Sequence, residues 1–452
     1  MLLLGDAESD LLAARVQMAF TLGSHIILAC FGVGMPVLLL VAEWLSLKGD
    51  SGWRILARRW SKAFAVLFAI GAVSGTVLSF ELGILWPEFM ARWGSVIGLP
   101  FTLEGFAFFT EAIFAGIYLY GWDRLPARTH WLAGIPIAIA GTMSAWFVVT
   151  ANAWMNSPVG FRLQDGSVIE ADPIAAMLNP ATGAQTTHMI LAAFMVTGFS
   201  VATFYAWQML RGNHTLYVRR AMTLGLAMGA IATPFQIASG DWSAKMVAEY
   251  QPVKFAAMEA TFESQKGAPL HIGGIPNRTT QEVDYSIEIP QALSFLAHSD
   301  FDAEVIGLNE FAERDQPPVV IVHIAFQVMV AIGGYLLLIS LWTGYRVARR
   351  FDLTQSPLFL RACAFCGPLA IVAMEAGWIV TEVGRQPWIV QGYMRTKDAV
   401  TGAEGLWVIF AITAMIYLLL FSVAIVVLRR LAAKPLEIEE KKTELRKLSK
   451  RV

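Results

Sequence analysis

The chain has 452 residues, 56% of them hydrophobic and only 15% charged, with a mean hydropathy of +0.55, whereas soluble globular proteins carry about a quarter charged residues. An ordinary soluble enzyme is excluded on that ground, and a formal net charge of -1 gives no reason to expect a nucleic-acid partner. Three cysteines, Cys30, Cys363 and Cys366, all within apolar runs, cannot build a disulfide framework.

The opening stretch MLLLGDAESD has neither a basic n-region nor a small-residue cleavage site, so the first apolar run is expected to stay as a membrane helix. Nine runs are long enough to cross about 30 Å of hydrocarbon. They lie near residues 17–45, 56–80, 98–121, 131–153, 185–210, 218–240, 317–345, 357–383 and 404–428. The expected fold is an all-α integral membrane protein with nine transmembrane helices. Placing the N-terminus outside puts 23 of the 34 Lys and Arg in cytoplasmic segments, which predicts an outer N-terminus and a cytoplasmic C-terminus.

On this reading the chain divides into helices one to six (1–240), a long polar outer loop (241–316), helices seven to nine (317–430) and a charged cytoplasmic tail (431–452). The loop carries thirteen carboxylates against five Lys and Arg, and loops this long are usually functional or disordered. Met246, Tyr250, Phe255, Met258 and Phe262 recur at helical spacing and predict an ordered surface helix. In the tail, Glu and Lys alternate at i,i+4, as on a solvated or lipid-surface helix.

Ionisable residues inside membrane helices are expensive, about 2.5–3.5 kcal/mol each on insertion scales, and mark candidate sites. Glu104 and Glu111 are seven apart on the third span, so they stack about 10 Å apart on one face. That arrangement suits either proton movement or a hydrogen-bonded packing pair. On the eighth span Glu375 and Glu382 repeat the spacing, with Trp378 one turn before Glu382. Glu382 and Arg385 at i,i+3 also read as a simple helix-end ion pair.

Of seven histidines, only His25 and His188 sit well inside apolar spans, as structural hydrogen-bonding groups or as axial ligands of haem iron. His130 and His214 fall at cytoplasmic ends, where an interfacial role is the usual one, and His271 and His298 in the loop. In the predicted topology His25, His188, Glu104, Met329 and His323 lie in the outer half of inward-running spans, and Glu382 near the outer end of an outward-running one. Any cofactors would therefore cluster beneath the long loop.

Several motifs, in order and spacing, resemble subunit I of cytochrome bd-type quinol oxidases over essentially the whole chain. They are RVQMAFTLGSH (15–25), EGFAFFTEA (104–112), GWDRL (121–125), WMNSPVG (154–160), KFAAME (254–259) and GRQPW (384–388). The resemblance implies His188 and Met329 as axial ligands of a low-spin haem b. It implies His25 and Glu382, with Trp378 beside the latter, at two high-spin haems: a haem b and a haem d, or a third haem b in place of haem d. It further implies a proton path through Glu104, Glu111 and Ser144, quinol binding by Lys254 and Glu259, and haem propionates near Arg15 and Arg385. Two departures stand out: Gln327 replaces a common arginine, and FELGILW replaces a more polar FQFGTNW at the end of the second span. The loop resembles the short-loop branch of the family.

The function so implied is a respiratory enzyme of the bacterial cytoplasmic membrane that oxidises quinol at the outer face and reduces O₂ to water, electrogenic without a proton pump. Its partners would be a second membrane subunit, a single-helix small subunit and membrane lipid. Two other classes compete: a haem b membrane anchor of a quinone-reducing dehydrogenase, and a proton-coupled transporter. The latter would show paired broken spans in two halves, and the sequence has no internal repeat.

Overall fold

The computed structural model describes residues 7–433. Among these residues nine helices are long and apolar enough to cross a membrane. The first to ninth spans are Ala7–Leu47, Ser51–Leu85, Pro87–Gly121, Ala127–Asn156, Thr182–Leu210, Leu216–Tyr250, Val319–Ala348, Pro357–Val383 and Leu406–Ala433. Their number and order are as expected, but several helices outrun their apolar cores. The second and third are separated by Trp86 alone, where the hydropathy pattern leaves residues 81–97 between spans. Residues 434–452, with the expected charged tail helix, lie outside the described residues.

Helix starts follow their local sequence. Asp50 accepts from Gly52 N at 2.9 Å, and Ser356 from Phe359 N at 3.3 Å with Pro357 in the first turn, which satisfies donors that the helix itself leaves unpaired. Successive spans pair one with two, three with four, five with six and seven with eight, while the first span also packs on the fourth, fifth and ninth, and the eighth on the fifth. The fifth and sixth spans approach closely. A Cβ on Gly198 would strike the backbone of Gly225 and Gly229; small residues let backbones meet where lipid gives no hydrophobic drive to association. The ninth span lies at the edge against the first and second, with only 11% of its apolar window buried, leaving most of its surface for lipid or another chain.

The long loop is folded. Antiparallel ribbons pair Leu270–Ile272 with Ile287–Ile289 and Ile275–Asn277 with Glu282–Asp284. The predicted surface helix is in fact two elements: the sixth span continues to Tyr250, the chain turns at Gln251, and a second helix runs Pro252–Glu259. Every residue of that helix from Val253 to Glu259 is buried, so the expectation of a surface helix is corrected. Periodic apolar residues mark one buried stripe; they do not tell whether the opposite face is also covered. The seventh span pins the loop from below. His323 donates from Nδ1 to the Met258 carbonyl at 2.8 Å, while Gln327 accepts from Gly273 N and donates to His271 O, both at 3.0 Å.

Candidate functional site

A cavity of about 1400 Å³ opens between the first four spans, the eighth span and the end of the long loop. His25, Glu104, Glu111, Ser144, Trp378 and Glu382 all line it, and so do Arg15 and Arg385. Residues as far apart in sequence as His25 and Glu382, 357 positions, thus share one largely apolar chamber.

His25 is oriented from the second span. Its Nδ1 lies 2.9 Å from Ser74 Oγ, whose own proton goes to the Gly71 carbonyl at 3.0 Å. The serine must therefore accept, Nδ1 carries the imidazole proton, and Nε2 keeps its lone pair. Gly75 makes room for the ring, since a Cβ there would come within 2.9 Å of His25 Cε1. His188 repeats the device between the fifth and sixth spans: Nδ1 is 3.0 Å from Ser239 Oγ, which donates to the Gln236 carbonyl at 2.9 Å. Its Nε2 receives the Gln236 amide at 3.0 Å, and Gln236 Oε1 is buried without a partner. Met329 Sδ rests over Gly377 of the eighth span, where a Cβ would lie 3.1 Å away.

Glu382 is held on both oxygens, by Arg385 at 2.6 Å and by Asn152 Nδ2 at 2.5 Å. Arg385 is buried, and its Nε and Nη1 have no partner among the described residues, so the ion pair read from i,i+3 spacing is present and does not use those two guanidinium nitrogens. Arg15 donates to Gln386 Oε1 at 2.8 Å. Lys254 lies over Gly384, where a Cβ would meet its Cγ at 3.0 Å, and its Nζ donates to Asn156 Oδ1 at 2.5 Å. Glu259, five residues on, is buried, with Oε2 unpartnered among the described residues. Burial pushes the Glu259 carboxyl up to about 8. Burial, reinforced by repulsion from Arg385, brings the Lys254 ammonium down to about 7.

On the third span Glu104 Oε1 accepts from Ser144 at 3.3 Å, and Glu111 Oε1 is buried without a partner among the described residues. Glu375, seven residues before Glu382, has one unpartnered oxygen and rests against Gly23. Sequence reading missed three buried acids, Asp10, Glu43 and Glu81. Glu81 accepts from Gln17 at 2.7 Å and Thr21 at 2.5 Å. Glu43 accepts from Tyr118 Oη at 2.7 Å and lies 2.6 Å from His130 Nδ1. His130, expected at an interface, is only 2% exposed and reaches the Tyr118 carbonyl with Nε2 at 2.8 Å. A span-end position in sequence does not reveal that Trp122 and Tyr118 roof it over.

Fold and site together define a multi-pass membrane protein in which His25, Glu104, Glu111, Glu382, Arg15 and Arg385 converge on an internal chamber. Residues 13–436 match the family model for cytochrome bd terminal oxidase subunit I, and the chain belongs to that family. It is 38% identical to a putative cytochrome bd menaquinol oxidase subunit I of Bacillus subtilis, over 93% of this chain and 96% of that one. It is 32% identical to the cytochrome bd ubiquinol oxidase subunit 1 of the same organism, over 87% and 86%. The solved structure of bd oxidase from Geobacillus thermodenitrificans superposes with a TM-score of 0.88 at 40% identity, covering 93% of this chain and 98% of that one. The protein is a multi-pass protein of the bacterial cytoplasmic membrane.

Proposed function

We propose that this chain is the haem-bearing, quinol-oxidising subunit of a respiratory terminal oxidase that couples quinol oxidation at the outer face to reduction of O₂ to water. The observation that carries the reading is the chamber shared by His25, Glu382, Glu104 and Glu111, with the lone pair of His25 Nε2 left open for ligation. Two quinols release four electrons and four protons outside; O₂ takes up four electrons and four protons as it becomes two waters. Because those protons are drawn from the cytoplasm, the reaction is electrogenic without a pump. The N-terminus is outside and the C-terminus cytoplasmic, in line with the distribution of Lys and Arg.

The residues fit haem. A ligating histidine usually donates its other ring N–H to a fixed partner, and Ser74 and Ser239 accept from His25 and His188 in this way. The free Nε and Nη1 of Arg385 are donors of the kind a propionate needs. His188 and Met329 would hold a low-spin haem b, at the Nε2 that Gln236 caps in this structure. His25 and Glu382 would hold the high-spin pair, a haem b with a haem d or a third haem b, with Arg15, Trp378 and Arg385 lining the same chamber. When bound, these groups supply the one-electron steps and the centre at which O₂ is reduced.

The remaining chemistry belongs to side chains of this chain. Glu259 takes a quinol proton on its carboxylate, while the Lys254 ammonium steadies negative charge developing on the quinol oxygen. Glu111 passes protons toward Glu104, which Ser144 holds in place. The chain works with subunit II, a single-helix subunit and lipid around its apolar outer faces. His188→Ala and Met329→Ala in the purified complex test the assignment. Each is expected to remove the low-spin haem band while the other haem bands remain; retention of that band in either variant would overturn the ligand pair.

A further inference from the structure

The loop site and the chamber are joined by an unbroken line of side-chain hydrogen bonds. Lys254 Nζ donates to Asn156 Oδ1 at 2.5 Å; Asn156 Nδ2 donates to Asn152 Oδ1 at 3.2 Å and to the Asn152 carbonyl at 2.9 Å; Asn152 Nδ2 donates to Glu382 Oε1 at 2.5 Å. Lys254 and Asn156 are 3% and 1% exposed, so bulk water does not compete for these bonds. The two asparagines are one turn apart on the fourth span, i,i+4, so the Asn156 amide reaches both the side-chain and the backbone oxygen of Asn152.

The direction of the line is fixed at one end. An ammonium can only donate, so Asn156 must offer its oxygen to Lys254 and its amide nitrogen to Asn152. Asn152 must then offer its oxygen to Asn156, and its nitrogen is left for Glu382. A carboxylate can only accept, so the far end agrees. Reversal of either amide would set oxygen against oxygen at Glu382 or nitrogen against nitrogen at Lys254. Amide side chains transmit orientation but do not carry protons along, so this line is not a proton wire.

We propose that Asn152 and Asn156 are positioning residues that couple occupancy of the loop site at Lys254 to the placement of Glu382 in the chamber. A quinone oxygen that draws the Lys254 ammonium away removes the constraint on Asn156. Asn156 and Asn152 then reorient, and the hold of Asn152 on Glu382 Oε1 is lost. Arg385 still holds Oε2 at 2.6 Å, so the carboxylate turns about that anchor and is not released. By reciprocity, whatever Glu382 prefers is felt as affinity at the loop.

The proposal rests on Lys254 being at the quinol site and Glu382 being a haem ligand, and the test separates the two levels. The air-oxidised purified complex is titrated with 2,3-dimethyl-1,4-naphthoquinone and followed by optical spectroscopy, in which no electron transfer is needed. The band that depends on Glu382 is identified by its loss in Glu382→Ala. In the parent complex that band is expected to shift on quinone addition. In Asn156→Leu and Asn152→Leu haem content and the low-spin band should stay as in the parent, while the shift shrinks about fivefold or more. Asn156→Ser, which cannot bond at both ends, is expected to behave alike and serves where the leucine variant does not assemble. An undiminished shift in these variants overturns the coupling alone. Absence of any Glu382-dependent band overturns the ligand reading and the coupling with it.

Discussion

His25 Nδ1 and Ser74 Oγ meet at 2.9 Å across the first two spans, in the same relation as His188 and Ser239 across the fifth and sixth. In each pair the serine gives its proton to a carbonyl three residues back on its own helix, so the imidazole is fixed in one tautomer. Ser74→Ala and Ser239→Ala remove that constraint. Supporting partners of this kind are worth roughly 10–100-fold in ligand affinity. Pyridine haemochrome analysis should show partial loss of the corresponding haem after dilution in detergent, with a displaced Soret band. Full occupancy and unshifted spectra in both variants would mean the serines serve packing alone.

Glu104 lines the chamber and has Ser144 as its hydrogen-bond donor. Glu104→Ala should lower quinol-driven O₂ uptake by about a hundredfold or more, with the low-spin haem spectrum retained. Ser144→Ala leaves the carboxylate in place and should cost far less. If Glu104→Ala also abolishes the low-spin spectrum, the residue is structural.

The outer loop sets a pH profile. Glu259, with its carboxyl held up near 8 by burial, takes a proton only when ionised, so activity should rise as pH climbs toward that value. Lys254, brought down to about 7, steadies negative charge only while protonated, so activity should fall above it. Together they predict a bell-shaped kcat/KM with its maximum between about 7 and about 8. Glu259→Gln should lower the rate and erase the acid limb; an acid limb unchanged in that variant would assign it to another group.

At the other end of the bundle, Glu43 joins Tyr118 and His130 in a fully buried cluster. Removing one partner of a buried pair leaves the other stranded, at a cost of about 3 kcal/mol or more, whereas losing a single neutral hydrogen bond costs about 1 kcal/mol. Glu43→Ala should therefore lower the thermal midpoint of the purified complex clearly more than Tyr118→Phe does. Equal midpoints for the two would contradict a role for the cluster in holding the first, third and fourth spans together.

The nine spans could be read from sequence because each is a continuous apolar run, and the intramembrane acids of the third and eighth spans because they break such runs. What escaped reading was pairing between helices. Ser74 and Ser239 are ordinary small polar residues until the fold sets a histidine 49 or 51 positions away against each. Glu43 and His130 are 87 residues apart, and neither marks the other locally. Gln327 looked like a lost charge; in the fold it is a two-ended clamp on the loop backbone at His271 and Gly273. The helix Pro252–Glu259 was placed on the surface because a single apolar stripe cannot reveal that both of its faces are covered.

The central claim is that buried histidines, Met329 and Glu382 hold haems beneath a quinol site. The assignment of His25, His188, Met329 and Glu382 as haem ligands is tested most directly by a dithionite-reduced minus air-oxidised spectrum of the purified complex, with pyridine haemochrome analysis on the same sample. The account predicts haem b from the His188 and Met329 site, together with high-spin bands lost in His25→Ala. A complex that assembles in full but contains no haem would contradict it and return the intramembrane carboxylates to proton-coupled transport.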